Sequence, residues 1–398
     1  MSEPASAVSA TQPRALNPGE QVYLQGERTS NFYGVLTGRF AKVRTRQPPG
    51  KVGMAKALAQ AELVEILERP HTVFGELDVF LGQPQECSVF AIDPGEVLPL
   101  PPREDGLRQV FETAPVFGVQ TCIAFARRLW QKLASFSRLT REEEALDRFV
   151  SSTFPSFLAV YQDLVTLTAP NAQHPLLQVA RGEPLFQMAQ QGAPPPANKG
   201  SSVYSAVIRP PGDSARVQSF PQGTLICKRG TLGDRLFILV EGVIEIPLGP
   251  DTTVQIARPG SVIGEIAVFL NLASKTPEVK RTADCICATP VRAIVLELDQ
   301  VEPYLAEHPQ LLTELLLAMA ERTRETHALA TIARRRMHQK LFERLRYVLT
   351  GYNNLAHSLE PYTHNNLTFQ KPFQFCAHQA RLTYNRFREW LSVVEAPV

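Results

Sequence analysis

The chain has 398 residues, of which 44% are hydrophobic and 20% are charged, and its formal net charge is +2. This length is enough for two or three domains with a real core, and this composition is ordinary for a soluble globular protein. No apolar run approaches the roughly 20 residues of a membrane helix, and Met1 to Pro13 lacks the pattern of a signal peptide, so we expect a cytoplasmic protein without a membrane partner.

Cysteine and histidine are not spaced as in a metal site. There is no Cys-x-x-Cys pair and no His-Glu-x-x-His motif. We therefore expect no metal and no cofactor, and we interpret the six cysteines as reduced, buried thiols in preference to a redox site. Since no nucleophile, base and orienting group are spaced in a recognisable way, we do not expect an enzyme.

Residues 16 to about 100 alternate apolar and polar positions between glycine turns, which predicts a small β-roll. Gly75 and Glu76 begin a short apolar helix, where free backbone N–H groups could meet an anion. The next residue expected to return to that turn is Gln85, which has no charge, and Glu86 beside it is negative. We therefore interpret this roll as a structural copy of a second roll, described below, and expect that this copy has lost or changed its ligand.

The middle of the chain predicts helices followed by a linker. Phe117 to Phe136 is amphipathic and should trail the first roll, and Thr140 should open a second helix with acids in its first turn, where they suit the helix dipole. Phe149 to Thr168 is apolar enough to pack on the roll or on a partner. Residues 190 to 202 are rich in Pro, Gly and Ser, which is typical of a linker.

The pattern of the first roll returns from Leu225 to Leu298 with a more complete site. Gly264 and Glu265 again open a short apolar helix, and Arg281 follows a loop that is longer than in the first copy. Extra loop length costs little free energy, so the Arg can still return to the turn. A guanidinium can hold two phosphate oxygens in a fork, and the Glu265 carboxylate can accept a hydrogen bond from a sugar hydroxyl. The pattern predicts a site for a sugar that carries a phosphate.

This stretch resembles the cyclic nucleotide-binding domain of the catabolite activator (cyclic AMP receptor protein) family. The resemblance is carried by Phe220–Gly223, Gly233–Leu239 and Gly264–Leu270, and by Arg281 with the residues that follow it. In that family the Gly-Glu pair meets the ribose, and the Arg and the next residue hold the cyclic phosphate. The resemblance implies a cyclic nucleotide ligand, cAMP or cGMP, bound by Gly264, Glu265, Ile266, Ala267, Arg281, Thr282, Ala283, Thr326 and His327.

A long helix is predicted after the second roll, from about residue 309 to 336. Leu312, Leu316 and Met319 begin a seam of 4,3-spaced residues, which is typical of a coiled coil. The seam could pack on its own domain, or it could pair with a second chain in a parallel homodimer. We favour the homodimer, because the corresponding helix of the family is its dimer helix, and because Thr326-His327 falls where the family contacts the ligand base.

The last segment is basic, with ten Lys and Arg against four Glu from residue 331 onward. Such a charge suits nucleic acid, and it also suits a solvated helical face. Residues 380–391 resemble the recognition helix of the activator family, which implies DNA contacts from Arg381, Thr383 and Arg386. Pro372 stands where the preceding helix should be continuous, so a basic helical tail that touches no DNA remains the alternative.

These observations predict an α+β fold with two cyclic nucleotide-binding β-rolls of jelly-roll type, a helical connector, a dimer helix and a small C-terminal helical domain. The expected boundaries are a disordered tail at 1–15, a degenerate first domain at 16–138, the connector at 139–190, a linker at 191–206, a cyclic nucleotide-binding domain with the dimer helix at 207–337, and a helix-turn-helix-like domain at 338–398. The expected function is a dimeric, ligand-responsive transcription regulator. The alternative is a cyclic nucleotide sensor or scaffold that acts on a protein partner without binding DNA.

Overall fold

The structure is a computed structural model that describes residues 12–45, 61–168, 171, 173–192, 216–249, 252–274, 277–364 and 366–396. The chain divides into two compact units, one formed by residues 1–131 and 200–325 and the other by residues 132–199 and 326–398. The predicted linker at 191–206 falls outside the described residues from position 193 onward. Within the described residues, no helix combines the length and the apolar character that a membrane span requires.

In its described part, the first unit contains four antiparallel sheets of four strands each. The first sheet pair consists of β1 (Arg14–Leu16), β2 (Gln21–Tyr23), β3 (Phe32–Thr37), β4 (Phe40–Arg44), β5 (Glu62–Leu67), β6 (Val73–Phe74), β7 (Ser88–Ala91) and β8 (Gly95–Leu100). The second sheet pair consists of β9 (Val217–Phe220), β10 (Leu225–Cys227), β11 (Arg235–Glu241), β12 (Ile244–Gly249), β13 (Thr252–Ile256), β14 (Val262–Ile263), β15 (Cys285–Cys287) and β16 (Val291–Glu297).

The two sheet pairs share one topology. The first has the strand orders β1-β8-β3-β6 and β2-β7-β4-β5, and the second has β9-β16-β11-β14 and β10-β15-β12-β13. Each pair encloses its own apolar core, with Phe40, Phe74 and Val89 in the first and Phe237 and Leu239 in the second. Strand β11 is buried on both faces, which differs from the one-sided pattern that the sequence predicts: Phe237 and Leu239 lie in the core of the sheet pair, and Leu236 and Ile238 lie in a cluster with the helices.

The prediction of a disordered tail at 1–15 is wrong for its last residues. Arg14 and Ala15 pair with β8 in an antiparallel ladder, and Leu16 is buried. The Arg14 guanidinium also donates to the carbonyl oxygens of Gln21 and Val22, at 2.8 and 3.1 Å. A three-residue strand is too short to produce an alternating pattern, so the sequence carried no signal for it.

Helices cover and connect the sheets. Those of the first unit are α1 (Glu76–Leu81), α2 (Glu104–Thr113), α6 (Glu265–Leu272) and α7 (Leu298–Glu307). Two long helices contribute residues to both units, α3 (Pro115–Leu167) and α8 (Pro309–Lys340). The second unit also contains α4 (Pro175–Gly182), α5 (Pro184–Gln191), a π-helical turn (Leu341–Leu345), α9 (Arg346–Thr363), a 3-10 turn (Leu367–Phe369) and α10 (Gln370–Glu395).

The predicted seam of α8 is buried inside the chain itself. Leu312, Leu316 and Met319 are each 0% exposed, in a cluster that also contains Phe117 and other residues from the start of α3. The two helices approach closely, since a Cβ atom on Gly118 of α3 would lie only 3.0 Å from Leu312 Cδ1. The homodimer predicted through this seam is therefore wrong as to its interface, because the heptad pattern identifies an apolar face without identifying what covers it.

Helix α3 is continuous where the sequence suggested separate helices. Thr140, the predicted start of a second helix, lies in its interior, and the predicted domain boundary at 138/139 falls within the same helix. Nothing in the surrounding residues breaks a helix, and Leu139, Leu146 and Val150 continue its buried face. The acids of 142–144 thus belong to the middle of a helix, where the helix dipole does not explain them.

A single helix, α10, replaces the turn and the recognition helix that were predicted for the last segment. Residues 380–391 form its interior, and the helix runs without interruption from Gln370, so no turn precedes Ala380 within this fully described element. Pro372 lies in the first turn of α10, where a missing N–H breaks no intrahelical bond. The prediction of a separate short recognition helix is therefore wrong, because Pro372 opens the helix instead of interrupting it.

Candidate functional site

The turn before α6 is shaped by a glycine. Gly264 adopts a left-handed conformation, with φ of 86°, and it is the residue that caps the N-terminus of α6. A side chain at this position would be strained and would also overlap the guanidinium of Arg281. The backbone N–H groups of Glu265, Ile266 and Ala267 belong to the first turn, where the helix itself provides no acceptor for them, and they form the positive end of the helix dipole.

Arg281 does return to this turn. Its side chain is buried, Nη1 donates to the carbonyl oxygen of Gly264 at 3.2 Å, and Nη2 donates to that of Arg235 at 2.5 Å. The nearest acid is Asp234, whose Oδ1 lies 3.9 Å from Nη2 and whose side chain is half exposed. A buried guanidinium therefore rests mainly on neutral carbonyl groups, which leaves its charge available to a stronger acceptor.

The sequence did not identify the residue that brings the long loop back. Asn271 is 1% exposed, and its amide nitrogen donates to the carbonyl oxygens of Gly233 and Val279, both at 3.0 Å. Its oxygen accepts from the backbone N–H groups of Glu278 and Val279, at 3.0 and 2.8 Å. These four hydrogen bonds fix the loop two residues before Arg281, although residues 275–276 lie outside the described part of the chain.

Glu265 is held by an arginine that the sequence also failed to single out. The carboxylate is 3% exposed, and Arg322 of α8 forms an ion pair with it through Nη1. This contact ties the turn before α6 to the helix that follows the second sheet pair. The only hint in the sequence is that Arg322 lies one turn before Thr326, within a helix already assigned to ligand contact.

The remaining predicted ligand residues are placed in different ways. Ile266 and Ala267 are buried in α6, and Thr282 and Ala283 follow Arg281 directly, the first exposed and the second half-buried. The structure therefore brings together Gly264, Glu265, Ile266, Ala267, Arg281, Thr282 and Ala283. Thr326 and His327 belong to the second unit, and their contact with a ligand base stays a prediction.

The first sheet pair has the same frame with other side chains. Gly75 has φ of 78° and caps α1, and Gln85 is buried where Arg281 stands in the second pair. The equivalence is visible in the backbone, because Gly26 N–H donates to the Gln85 carbonyl at 2.9 Å as Gly230 N–H donates to the Arg281 carbonyl at 3.0 Å. The Gln85 amide nitrogen donates to Thr29 Oγ1 at 2.8 Å and to the Gly75 carbonyl at 3.3 Å.

A carboxylate occupies the anion-binding position of this first turn. Asp78, three residues after Gly75, takes the place of Ala267, and its Oδ2 accepts from the N–H of Glu86 at 3.1 Å. Burial raises the pKa of Asp78 to about 6. Glu76 lies 3.7 Å from Arg128 of α3, which repeats the pairing of Glu265 with Arg322. The first turn thus carries its own negative charge, which disfavours a phosphate at that point.

The three predicted DNA-binding residues do not share one surface. Thr383 is 0% exposed, and its hydroxyl donates to the Gln379 carbonyl at 2.8 Å, so the prediction of a DNA contact from Thr383 is wrong. Arg381 is exposed in a groove between α9 and α10. Arg386 is exposed as well and forms an ion pair with Glu389 at 2.9 Å. Among these residues, only the two arginines remain accessible to another molecule.

Much of the basic charge before α9 is paired with acids of α3. Lys340 Nζ lies 2.8 Å from Glu143 and 2.6 Å from Asp147, and Arg336 lies 3.1 Å from Glu143. Arg344 is 3.6 Å from Asp147. Glu143, one of the acids that looked like a helix start, is thus a counter-ion of the basic segment together with Asp147, and this pairing reduces the positive potential of the segment.

Comparisons with known proteins find regulators that resemble part of this chain. The CRP-like cAMP-activated global transcriptional regulator of Mycobacterium tuberculosis is 30% identical over 112 residues, which cover 27% of this chain and 47% of that protein. The global nitrogen regulator of a Synechocystis species is 27% identical over 130 residues, which cover 31% of this chain and 56% of that protein. The chain therefore spans about half the length of the curated relatives it matches.

Among solved structures, the regulatory domain of Toxoplasma gondii PKA, crystallised with cAMP, is 17% identical, with a TM-score of 0.22; the match covers 75% of this chain and 85% of that domain. The family model that matches is specific to one region. Residues 217–308, which include the second sheet pair, α6 and α7, match the cyclic nucleotide-binding domain family.

Proposed function

We propose that the second sheet pair is a β-roll that binds a cyclic nucleotide, cAMP or cGMP, and that the chain is a regulator controlled by this ligand. The observation that carries the proposal is the return of buried Arg281 to the turn between Gly264 and α6. The family match over 217–308 and the cAMP-activated relative support the same class of ligand.

The chemistry of the turn suits the cyclic phosphate. The carbonyl oxygens of Gly264 and Arg235 are the acceptors for Arg281, at 3.2 and 2.5 Å. Phosphate oxygens carry a negative charge and are stronger acceptors for a guanidinium fork than neutral carbonyls. The free N–H groups at the start of α6 would add donors on the opposite side of the same phosphate.

Glu265 suits the sugar. Its buried carboxylate can accept a hydrogen bond from the ribose 2′-hydroxyl, while the ion pair with Arg322 orients it. Because Arg322 belongs to α8, a ligand that engages Glu265 also acts on the position of that helix. This gives a route by which binding could be transmitted beyond the roll.

For the output we infer a protein partner, the alternative to DNA that the sequence left open, because the surface expected to meet DNA is largely paired or buried. The basic segment before α9 is paired with Glu143 and Asp147, Thr383 is buried, and the expected recognition helix is the interior of α10. A DNA-binding output, with Arg381 and Arg386 as contacts, stays a prediction of the resemblance alone.

Calorimetric titration of the full chain with cAMP and cGMP tests the ligand. We expect one site per chain in the wild type, and Arg281→Gln should weaken binding by about 2–4 kcal/mol, which is roughly 30- to 700-fold. Gln85 shows that glutamine is accommodated at the equivalent position of the first pair. The matched control is Arg292→Gln, which removes an exposed arginine from the same domain. Equal affinities of Arg281→Gln and wild type would overturn the assignment.

Binding to random duplex DNA over a salt series tests the output. A DNA-binding protein should lose affinity steeply as salt rises, because each phosphate contact releases counter-ions. We expect little binding with saturating nucleotide at low salt, and no change in Arg381→Ala. A steep salt slope that Arg381→Ala reduces by about one would restore the DNA-binding reading.

A further inference from the structure

Two cysteines face each other beside the loop that carries Arg281. Cys227 ends β10 and Cys285 begins β15, and the two residues are partners in the antiparallel pairing of these strands, beside a register shift between Leu225 and Cys227. Both are buried and both are free thiols. Directly opposed residues of antiparallel strands have Cα atoms about 4.5–5.5 Å apart, which lies within the range that a disulfide spans.

The two sulfur atoms are in contact with each other. A hydrogen bond from Cys285 lowers the pKa of Cys227, and the nearby charge of Arg281 acts in the same direction against the effect of burial. The same contact and burial raise the pKa of Cys285. One thiol of the pair is thus favoured as the nucleophilic thiolate, and the other remains protonated beside it.

The pair is a feature of the second sheet pair and has no counterpart in the first. The corresponding residues there are Tyr23 and Val89, which are opposed in the same register of β2 and β7. The opposed thiols therefore occur in the copy that has the arginine, and a bulky aromatic ring takes their place in the copy that lacks it. Cys287, two residues further along β15, pairs instead with Ile244 of β12.

The strands that carry the thiols also hold the arginine loop. Gly230 N–H, three residues after Cys227, donates to the Arg281 carbonyl at 3.0 Å, and Arg281 N–H donates to the Thr231 carbonyl at 2.8 Å. Asp284, which precedes Cys285, accepts from Arg229 N–H at 2.7 Å. A covalent link between the strands would restrain both ends of this connection.

We propose that Cys227 and Cys285 are a modification site, a pair that hydrogen peroxide closes to a disulfide and that thiols reopen. The Cys227 thiolate attacks one peroxide oxygen, so an S–O bond forms and the O–O bond breaks, and the departing hydroxide takes up a proton to become water. Cys285 then attacks the Cys227 sulfur while its proton goes to the leaving hydroxide, so the S–S bond forms and a second water is released. The two thiols together supply the two electrons that reduce the peroxide.

The disulfide should strengthen binding at the proposed nucleotide site, and this part rests on the proposed function. Oxidation ends the ability of Cys227 to form a thiolate beside Arg281, so no sulfur anion can compete with phosphate for the guanidinium. It also fixes the loop before the ligand arrives, which lowers the ordering cost of binding.

Peptide mapping of the full chain tests the pair. The protein is treated with hydrogen peroxide, quenched in denaturant with N-ethylmaleimide, and digested with trypsin without reduction. Cys227 lies in the peptide 217–228, whereas Cys285 and Cys287 share the peptide 282–292. Cys287→Ser is therefore the matched variant, because it leaves Cys285 as the sole thiol of its peptide. We expect the two peptides joined, two hydrogen atoms lighter than their sum, and separated again by dithiothreitol.

Alkylation of both thiols in peroxide-treated Cys287→Ser, with no joined peptide, overturns the proposal. Titration with cAMP of oxidised and reduced Cys287→Ser then measures the effect, and we expect the dissociation constant to fall several-fold on oxidation, with no such change in Cys227→Ser. A joined peptide with unchanged affinity overturns the regulatory part. If neither form binds a cyclic nucleotide, the proposed function fails, while the mapping still decides whether the thiols form a pair.

Discussion

The first sheet pair should become a nucleotide site when three side chains are changed to those of the second pair. The changes are Asp78→Ala, Gln85→Arg and Glu86→Thr. Asp78 has a pKa of about 6, so it is ionised at pH 7.5, and its carboxylate lies at the N–H of Glu86, where a phosphate would bind. Removing it opens an anion position, and the new arginine supplies the fork.

The structure sets the expected magnitude and the order of effects. A charge-assisted fork to phosphate contributes about 2–4 kcal/mol, so the triple variant should bind cAMP roughly 30- to 700-fold more tightly at this turn than Asp78→Ala alone. Gln85→Arg alone should give no new site, because the guanidinium would pair with the Asp78 carboxylate inside the same turn. Glu76 needs no change, since Arg128 already supports it as Arg322 supports Glu265.

The assay is calorimetric titration in an Arg281→Gln background, where only the first pair can report tight binding. Circular dichroism and urea unfolding establish that each variant is folded. If the folded triple variant binds no better than Asp78→Ala in this background, the equivalence drawn between the two turns is mistaken.

Four further predictions follow from named contacts. Asp78→Asn should flatten the pH dependence of stability, because the folded pKa of Asp78, about 6, lies above the usual 3.8. Between these two pH values the native state binds more protons than the unfolded state, so the stability of the wild type falls by about 3 kcal/mol as pH rises from about 4 to 6. Urea midpoints at pH 4.5 and 7.5 measure this fall, and an equal pH dependence in both proteins would contradict the assignment. Leu316→Arg should destabilise the fold by more than about 4 kcal/mol in urea unfolding, because the residue is buried within the chain. A stable variant that only shifts from dimer to monomer in light scattering would instead support a dimer interface at this helix. Asn271→Ala should lower the free energy of unfolding by about 2–4 kcal/mol and weaken cAMP binding, because it leaves the N–H groups of Glu278 and Val279 without their acceptor. Unchanged affinity would show that the loop keeps its conformation without Asn271. Glu143→Gln should cost about 1–3 kcal/mol, because two cations lose their buried acid, and the loss should persist in 0.5 M salt; no loss would show the pairing to be dispensable.

The sequence predicted the residues that form the turn of the second site, but it did not predict the residues that hold this turn in place. Gly264, Glu265 and Arg281 could be found because each is required by local chemistry: a left-handed turn, a carboxylate, and a fork. Asn271 and Arg322 could not, because their roles depend on which distant atoms the fold brings to them. An Asn in a helix can form many kinds of hydrogen bond, and the role of Asn271 becomes visible only once the folded loop lies beside it.

The errors at helices have a common cause. Periodicity identifies the apolar face of α8, but the choice between a second chain and α3 is made by the topology of the whole unit. Residues 380–391 have the composition of a recognition helix, but a turn is required before it, and the helical propensity on both sides of Ala380 extends the helix through that point. The buried carboxylate of Asp78 could not be expected from the sequence, because its position depends on the return of the Glu86 N–H to the turn.

The packing of α3 against α8 inside one polypeptide also changes how the two sheet pairs can evolve and respond. A pairing between separate chains weakens on dilution and duplicates every substitution by symmetry, whereas a pairing built into one chain is independent of protein concentration and lets each half vary alone. Replacement of arginine by glutamine in one half, and retention of arginine in the other, requires that freedom. The contact between α3 and α8 should therefore be as complete at nanomolar as at micromolar protein.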